Sequence, residues 1–284
     1  VPSNGMLCSG EELCLTEADY EGASVNEILI LKETHPVGTD MREVLGLDDY
    51  IIDFKITANR PDCNCFIGVA KEIGVVLGTE FKMPVPEYKT VGEDINNYIS
   101  IDVENYDLCP RYMGRIVKNL RIKESPVWMQ KALLASGMRP INNIVDITNY
   151  VMLTTGQPTH AFDADNIRDH IVVRRANEGE ALALLNGKEL KLSTDDLVIA
   201  DTESAVGLAG VMGGSKDSVL PTTTRVILEI ANFQGSGVRR TALRYDNRTE
   251  SSARYEKAID PERCDIALAL SMELFKELYP EVKI

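Results

Sequence analysis

Long apolar runs are missing from this sequence, and no stretch approaches the roughly 18 residues that a membrane-spanning helix needs. The N-terminus lacks the basic start, apolar core and small-residue cleavage site of a secretory signal. These two absences predict a cytoplasmic chain with no membrane partner. A basic excess is missing as well. Lys and Arg total 30 against 44 Asp and Glu, a formal net charge of -14. Such a chain has no general attraction for phosphate backbones, so any contact with nucleic acid must be local or shared with another subunit. Neither a Walker A sequence nor a G-x-G-x-x-G fingerprint occurs, which argues against phosphate cradling. Cysteine is present, at positions 8, 14, 63, 65, 109 and 264. Disulfide frameworks belong to small secreted domains, so reduced thiols are expected. Cys63 and Cys65 form a C-x-C pair, but no second Cys or His pair stands at ligand spacing, and no metal site is expected.

What is present is an ordinary globular balance, 44% hydrophobic and 26% charged over 284 residues, enough for two or three domains. The chain opens on Val and closes inside a helical pattern, which suggests a piece of a longer protein. Turn chemistry at Pro2-Ser3-Asn4-Gly5 precedes NEILIL, which reads as a strand, and YIIDFKI from Tyr50 reads as another. Helical spacing runs from Phe66 to Leu77 and stops at Gly78. A charged, Pro-containing stretch from Lys82 to Asn97 is the linker candidate. Beyond it, alternation around Tyr112, Gly114 and Ile116 suggests a strand. Ser125-Pro126 suggests a capped helix start, ending at Gly137. Asn142 to Leu153 reads as a second helix closing near Gly156. Short strands follow in HIVVRRA, LALLNGKEL with its Asn186-Gly187 turn, DLVIAD, VGLAGVMGG and RVILEIANF. Helices are expected over Gly235 to Tyr245 and Arg263 to Tyr279. The expected fold is α+β, with layered mixed β-sheets and helices.

Only three histidines occur. His160, in GQPTHAFDAD, follows a Gly-Gln-Pro turn and precedes Asp163, and histidine is the side chain best poised for proton transfer near neutrality. A loop histidine bonded to backbone is the alternative. His35 and His170 show no constellation. Glu229 stands in the apolar strand RVILEIANF, where alternation places it with Ile227 and Ala231, opposite Leu228 and Ile230. If both faces are covered, the carboxyl is buried and requires a donor. A site built that way can reject a ligand lacking the hydroxyl by about 10⁴–10⁵. A carboxylate on a solvated face is the competing reading. Gly213-Gly214 admits either close approach by a ligand or a tight turn. RTESSARYEKAIDPER mixes hydroxyls with both signs of charge, and could meet RNA locally or form a solvated face.

Several of these segments stand in one order: ITANRPDC, GVAKEIGVVLG, RPINNIVDITNYVML, GQPTHAFDAD, DLVIAD, GLAGVMGG, VILEIANF and RTESSARYEKAIDPER. In that order they resemble the B3/B4 editing domain of bacterial phenylalanyl-tRNA synthetase beta subunits, and NGMLCSGEEL resembles the end of the OB-fold tRNA-binding domain before it. The resemblance implies a tail of the OB-like domain over 1–44 and a strand-helix segment over 45–84. It further implies a linker over 85–98, the editing domain over 99–262, and a helix leading onward over 263–284. It implies hydrolysis of tyrosine wrongly esterified to the phenylalanine tRNA. In that chemistry Glu229 accepts the tyrosine hydroxyl, and His160 and Arg139 position the RNA end or the attacking water. Thr148, Asn149, Pro158, Gly213, Thr249 and Ser251 match the positions that line the pocket. Ser251 is a departure where alanine is common in the family, as is Lys257-Ala258 where arginine-glycine is common. The implied partners are the tRNA(Phe) 3′ end and the alpha subunit, in a heterotetramer of two alpha and two beta subunits. No cofactor is implied for this piece; ATP and magnesium belong to the holoenzyme. A non-catalytic scaffold with an inactive pocket, and a free-standing domain for another ligand such as a dipeptide or sugar, remain the alternatives.

Overall fold

A strand is held only if something pairs with it, and the N-terminal third shows what happens otherwise. The computed structural model describes residues 5–17, 20, 22–23, 26–84, 86–88, 94–168 and 170–284. Pro2, Ser3 and Asn4 of the expected opening turn, and residues 85 and 89–93 of the expected linker, lie outside these. Contacts group the chain into two compact units, Val1–Phe54 with Ser125–Ile141, and Lys55–Glu124 with Asn142–Ile284.

In the first unit NEILIL is not a strand: a single bridge joins Ser9 to Ile28. The expected strand at YIIDFKI, which spans the division between the units, does not form either. Among the described residues these alternating apolar segments gain no continuous pairing, and Ile30 and Tyr50 stand 82% and 91% exposed. Helix α1 (Met41–Leu45), which the pattern did not announce, is capped by Asp40, whose side chain accepts from the Arg42 N–H at 2.9 Å, and stops at Gly46 with φ of 68°. The helix expected after Ser125-Pro126 starts one residue later than its signal suggested. Pro126 itself takes the cap position and offers no side-chain acceptor.

The second unit holds α2 (Phe66–Leu77), with Cys65 Sγ accepting from the Gly68 N–H and Gly78 in the left-handed region. Its described residues also form ten strands: β1 (Ser100–Val103), β2 (Arg111–Lys118), β3 (Thr159–Asp163), β4 (His170–Arg175), β5 (Ala181–Ala183), β6 (Glu189–Lys191), β7 (Leu197–Ala200), β8 (Ala205–Leu208), β9 (Met212–Gly213) and β10 (Arg225–Asn232). With α3 (Val127–Ala135) in the first unit, the remaining helices are α4 (Asn143–Thr155), α5 (Gly235–Arg244), α6 (Glu250–Tyr255) and α7 (Arg263–Leu278). The fold is α+β. Its strands form a five-stranded sheet ordered β1-β4-β7-β8-β9, a three-stranded sheet ordered β2-β10-β3, and the hairpin β5-β6. The β1–β4 pair is parallel and the other pairs are antiparallel.

β10 is the centre of the three-stranded sheet, and both its faces are covered. Ile227 and Ala231 join Phe162 in a core shared with Ile171, Val173, Val198 and Leu208 of the five-stranded sheet. The opposite face, Val226, Leu228 and Ile230, is also buried. On that side α4 packs on β3, α7 packs on β10, and the two helices touch each other. α4 owes its start to Asn142, whose side chain accepts from the N–H groups of Ile144 and Val145 at 3.0 Å each, and its stop to Gly156.

Candidate functional site

The antiparallel register of the three-stranded sheet decides which side chains meet. Glu229 lies directly opposite His160 on β3 and Gly114 on β2, while Ala231 lies opposite Tyr112. Directly opposed residues project to the same face with Cβ atoms about 4.5–5.5 Å apart. Glu229, His160 and Tyr112 therefore share the face turned toward the five-stranded sheet. The alternation reading of Glu229, beside Ile227 and Ala231, is what the register shows. The loop reading of His160 is overturned, because His160 sits within β3. The turn chemistry of Gly-Gln-Pro masked the strand that begins immediately after it.

Glu229 is buried, and the Tyr112 hydroxyl donates to its Oε2 at 3.1 Å. Burial pushes the Glu229 carboxyl up to about 8, a rise that the Tyr112 hydrogen bond opposes. Burial likewise lowers His160 to about 4. Near pH 7 the pair is a neutral carboxylic acid facing a neutral imidazole. A base that weak is poorly matched to abstracting a proton near neutrality, so its chemistry is that of a hydrogen-bonding, orienting group. Its ring packs edge-on against Phe162, with centroids 4.6 Å apart.

Gly213 explains how the ring fits. A Cβ there would lie 2.5 Å from both Cε1 and Nε2 of His160, so the missing side chain makes space for the imidazole. The sequence reading offered a ligand's approach or a tight turn at Gly213; the group that comes close in this structure is the protein's own histidine. Thr148 and Asn149 lie on α4. The Thr148 hydroxyl donates to Val145 O at 2.6 Å, and its carbonyl accepts from Thr159 Oγ1 at 3.5 Å, beside His160. Pro158 is buried, and its carbonyl accepts from the Gln157 side chain at 2.9 Å and from the Tyr255 hydroxyl at 3.4 Å. Thr249 caps α6 in a capping box with Ser252, and its hydroxyl also donates to Val211 O at 2.8 Å. The Ser251 hydroxyl donates to Gly210 O at 3.3 Å. Both hydroxyls thus hold the turn that leads into Gly213.

Arg139 belongs to the other compact unit, Ser125–Ile141 with Val1–Phe54, so the three catalytic candidates fall into two units. Three further residues escaped sequence reasoning. Tyr112 is one. Gln157 and Tyr255 are the others: both donate to Ala231 O at 2.7 Å, tying the segment between α4 and β3, and α6, to β10 two residues from Glu229. Each is an unremarkable residue in the sequence, and only the pairing of distant segments gives it a role. His170 does have neighbours, contrary to the pattern reading. Its Nδ1 lies 2.6 Å from Ser100 Oγ and its Nε2 lies 3.4 Å from Asp102 on β1. Ser100 and Asp102 lie on the edge strand β1, beside His170 on β4, where Asp102 is 73% exposed, and among the described residues no buried wall completes a site.

Among the described residues Asp62, Cys63 and Glu72 are close enough to share a metal ion. Arg60 already occupies that position, with Nη2 at 2.6 Å from Asp62 and 2.5 Å from Glu72. Its guanidinium holds the Asp62 carboxyl down to about 2. Among the described residues no helix is long and apolar enough to cross a membrane.

A covered antiparallel sheet of three strands that presents one buried carboxyl opposite one histidine, with a glycine beside the imidazole, defines this unit. The chain belongs to the B3/4 domain family, whose model matches residues 108–280. The resemblance to bacterial phenylalanyl-tRNA synthetase beta subunits holds along almost the whole chain. The phenylalanine–tRNA ligase beta subunit of Clostridium acetobutylicum is 43% identical over 280 residues, covering 98% of this chain and 35% of that one. That of Geobacillus kaustophilus is 44% identical over 276 residues, covering 97% and 34%. The chain thus spans about a third of the length of the curated relatives it matches. A solved N-terminal fragment of the phenylalanyl-tRNA synthetase beta subunit from Pyrococcus horikoshii aligns at 20% identity and a TM-score of 0.38, over 66% of this chain and 59% of that one.

Proposed function

We propose that this chain is the proofreading part of a phenylalanine–tRNA ligase beta subunit and hydrolyses the ester of tyrosine mischarged onto tRNA(Phe). The observation that carries the reading is the register that sets buried Glu229 opposite His160 on one face of the sheet. A synthetic site chosen for phenylalanine cannot exclude tyrosine by size alone, since a hydroxyl is a small addition. A second site that demands the hydroxyl discriminates far better. Glu229, with a single internal donor, offers a hydrogen-bonding partner to a phenol that phenylalanine cannot satisfy.

His160 orients the ester or the terminal adenosine, in keeping with its low basicity. The attacking water is then activated by a hydroxyl of the adenosine, which lies beside any such ester. Arg139 serves the RNA end. Thr148, Asn149, Pro158, Gly213, Thr249 and Ser251 shape the pocket, the last three through the turn into Gly213. In the full enzyme the chain works in the cytoplasm, with the alpha subunit and tRNA(Phe), in a heterotetramer of two alpha and two beta subunits. There ATP and magnesium serve the aminoacylation step, and this piece carries no part of it.

Calorimetric titration of the full chain with tyrosine and with phenylalanine, repeated on Glu229→Ala, tests the reading. Tyrosine binding that phenylalanine does not share, and that the substitution abolishes, is the expected result. Equal binding of both amino acids, or tyrosine binding that survives the substitution, would remove Glu229 from this role and favour a scaffold that binds without hydrolysing.

A further inference from the structure

Resting on the Glu229 reading above, we infer that Tyr112 is a positioning residue that holds one oxygen of the Glu229 carboxyl so that the other meets the phenol of the ligand. The side chain of glutamate has three rotatable bonds, and a buried one that reads a hydroxyl must keep a single arrangement to discriminate. Tyr112 supplies the constraint. It shares the sheet face with Glu229 because it lies opposite Ala231, two residues along the same strand. Its hydroxyl donates to Oε2 at 3.1 Å, and Oε1 accepts from nothing among the described residues. Gly114, opposite Glu229 on β2, places no side chain beside the carboxyl. The contact is also compatible with the proposed ligand. A phenol of the protein already donates to this carboxyl, and a second phenol can do the same at the remaining oxygen.

The titratable groups facing Glu229 are Tyr112 from β2, His160 from β3, Cys109 from the segment before β2, and Tyr255 from α6. Burial keeps the Tyr112 and Tyr255 phenols well above their ordinary value and pushes the Cys109 thiol up to about 12, while His160 falls to about 4. None of these four changes charge between pH 6 and 9 on those directions, so a midpoint in that window belongs to Glu229, whose carboxyl lies at about 8. The Tyr112 hydroxyl favours the ionised form, so removing it moves the midpoint upward.

The test is Tyr112→Phe in the full chain, titrated with tyrosine and phenylalanine from pH 6 to 9. The ratio of the two affinities cancels the titration of the shared amino group. In the parent chain the tyrosine preference is expected to grow as pH rises through about 8, where the stronger acceptor forms. In Tyr112→Phe the preference is expected to fall about tenfold, the effect of one neutral hydrogen bond, and its midpoint to move up. A merely structural role would leave the midpoint in place. Infrared spectroscopy of the carboxyl C=O band, identified by its loss in Glu229→Gln, reads the same midpoint without ligand and serves if binding by the variant is too weak to measure. An unchanged midpoint and preference in Tyr112→Phe, with a Glu229-dependent preference in the parent, overturns the Tyr112 inference alone. Absence of any tyrosine preference in the parent, or its persistence in Glu229→Ala, overturns the Glu229 reading and this inference with it.

Discussion

Two buried carboxyls in the same unit have opposite surroundings. Asp196, fully buried ahead of β7, receives four donors: the Ser193 N–H at 2.9 Å, Thr241 Oγ1 at 2.9 Å, Arg244 Nη1 at 2.7 Å and the Tyr245 hydroxyl at 2.5 Å. Three of these come from α5 and the residue after it, so the carboxylate fastens that helix to the sheet. Among the described residues Glu229 receives one donor, a neutral phenol. A carboxylate supplied with a guanidinium and three further donors is a structural joint, since its desolvation is offset by charge-assisted bonds. A carboxyl left with one neutral donor is driven toward its protonated form and keeps unused hydrogen-bonding capacity. Glu229 alone combines that deficit with a histidine directly opposite and a glycine that clears space for the ring. The comparison separates a residue kept for architecture from one kept for a ligand.

The largest expected effect lies on the structural side of that comparison. Asp196→Ala leaves the Arg244 charge and three other donors without their acceptor, and should lower stability by about 3–5 kcal/mol in denaturant unfolding. A loss under about 1 kcal/mol would show that Asp196 is not the joint described. Gly213→Ala comes next. Its new methyl must displace the His160 ring, at a cost of about 1–3 kcal/mol in stability. Tyrosine binding should weaken with it, and unaltered binding in calorimetry would detach His160 from the ligand.

Glu229→Gln should act in the opposite direction on stability. The native carboxyl lies at about 8, above its ordinary 4.5, so the folded state binds the extra proton in that window. Stability therefore falls as pH rises from about 4.5 and levels off above about 8. Glutamine cannot ionise and should remove that slope, leaving the variant more stable than the parent at pH 9 by on the order of 1–3 kcal/mol. Parallel stability profiles for the two chains between pH 5 and 9 would contradict the burial of the carboxyl. The smallest effect is expected of Thr249→Ala, which removes the α6 cap for about 1 kcal/mol and loosens the turn into Gly213. If unfolding shows that loss while tyrosine binding stays intact, Thr249 serves α6 and not the pocket.

The sequence alone determined those parts of the fold whose signals are local. Phe66 to Leu77 carries its apolar spacing and its terminal glycine together, and α4 has Asn142 at its start and Gly156 at its end, so both helices were legible. The alternation of RVILEIANF likewise placed Glu229 beside Ile227 and Ala231 before any partner was known, because the period of a strand is a property of its own backbone. Tertiary structure decided the rest. NEILIL had a strand's composition, but a strand exists only where another supplies a run of hydrogen bonds, and the described residues supply one isolated bridge, Ser9 to Ile28. β3 was hidden behind Gly-Gln-Pro for the converse reason, since β10 supplies the partner that its own residues do not announce. Tyr112 reaches Glu229 across 117 positions of chain, and the Gly213 gap is matched to a ring on a different sheet. No local pattern carries register between segments so far apart. Register is set when whole apolar faces are buried together, and that is why only the folded chain could bring a phenol, a carboxyl and an imidazole onto one face.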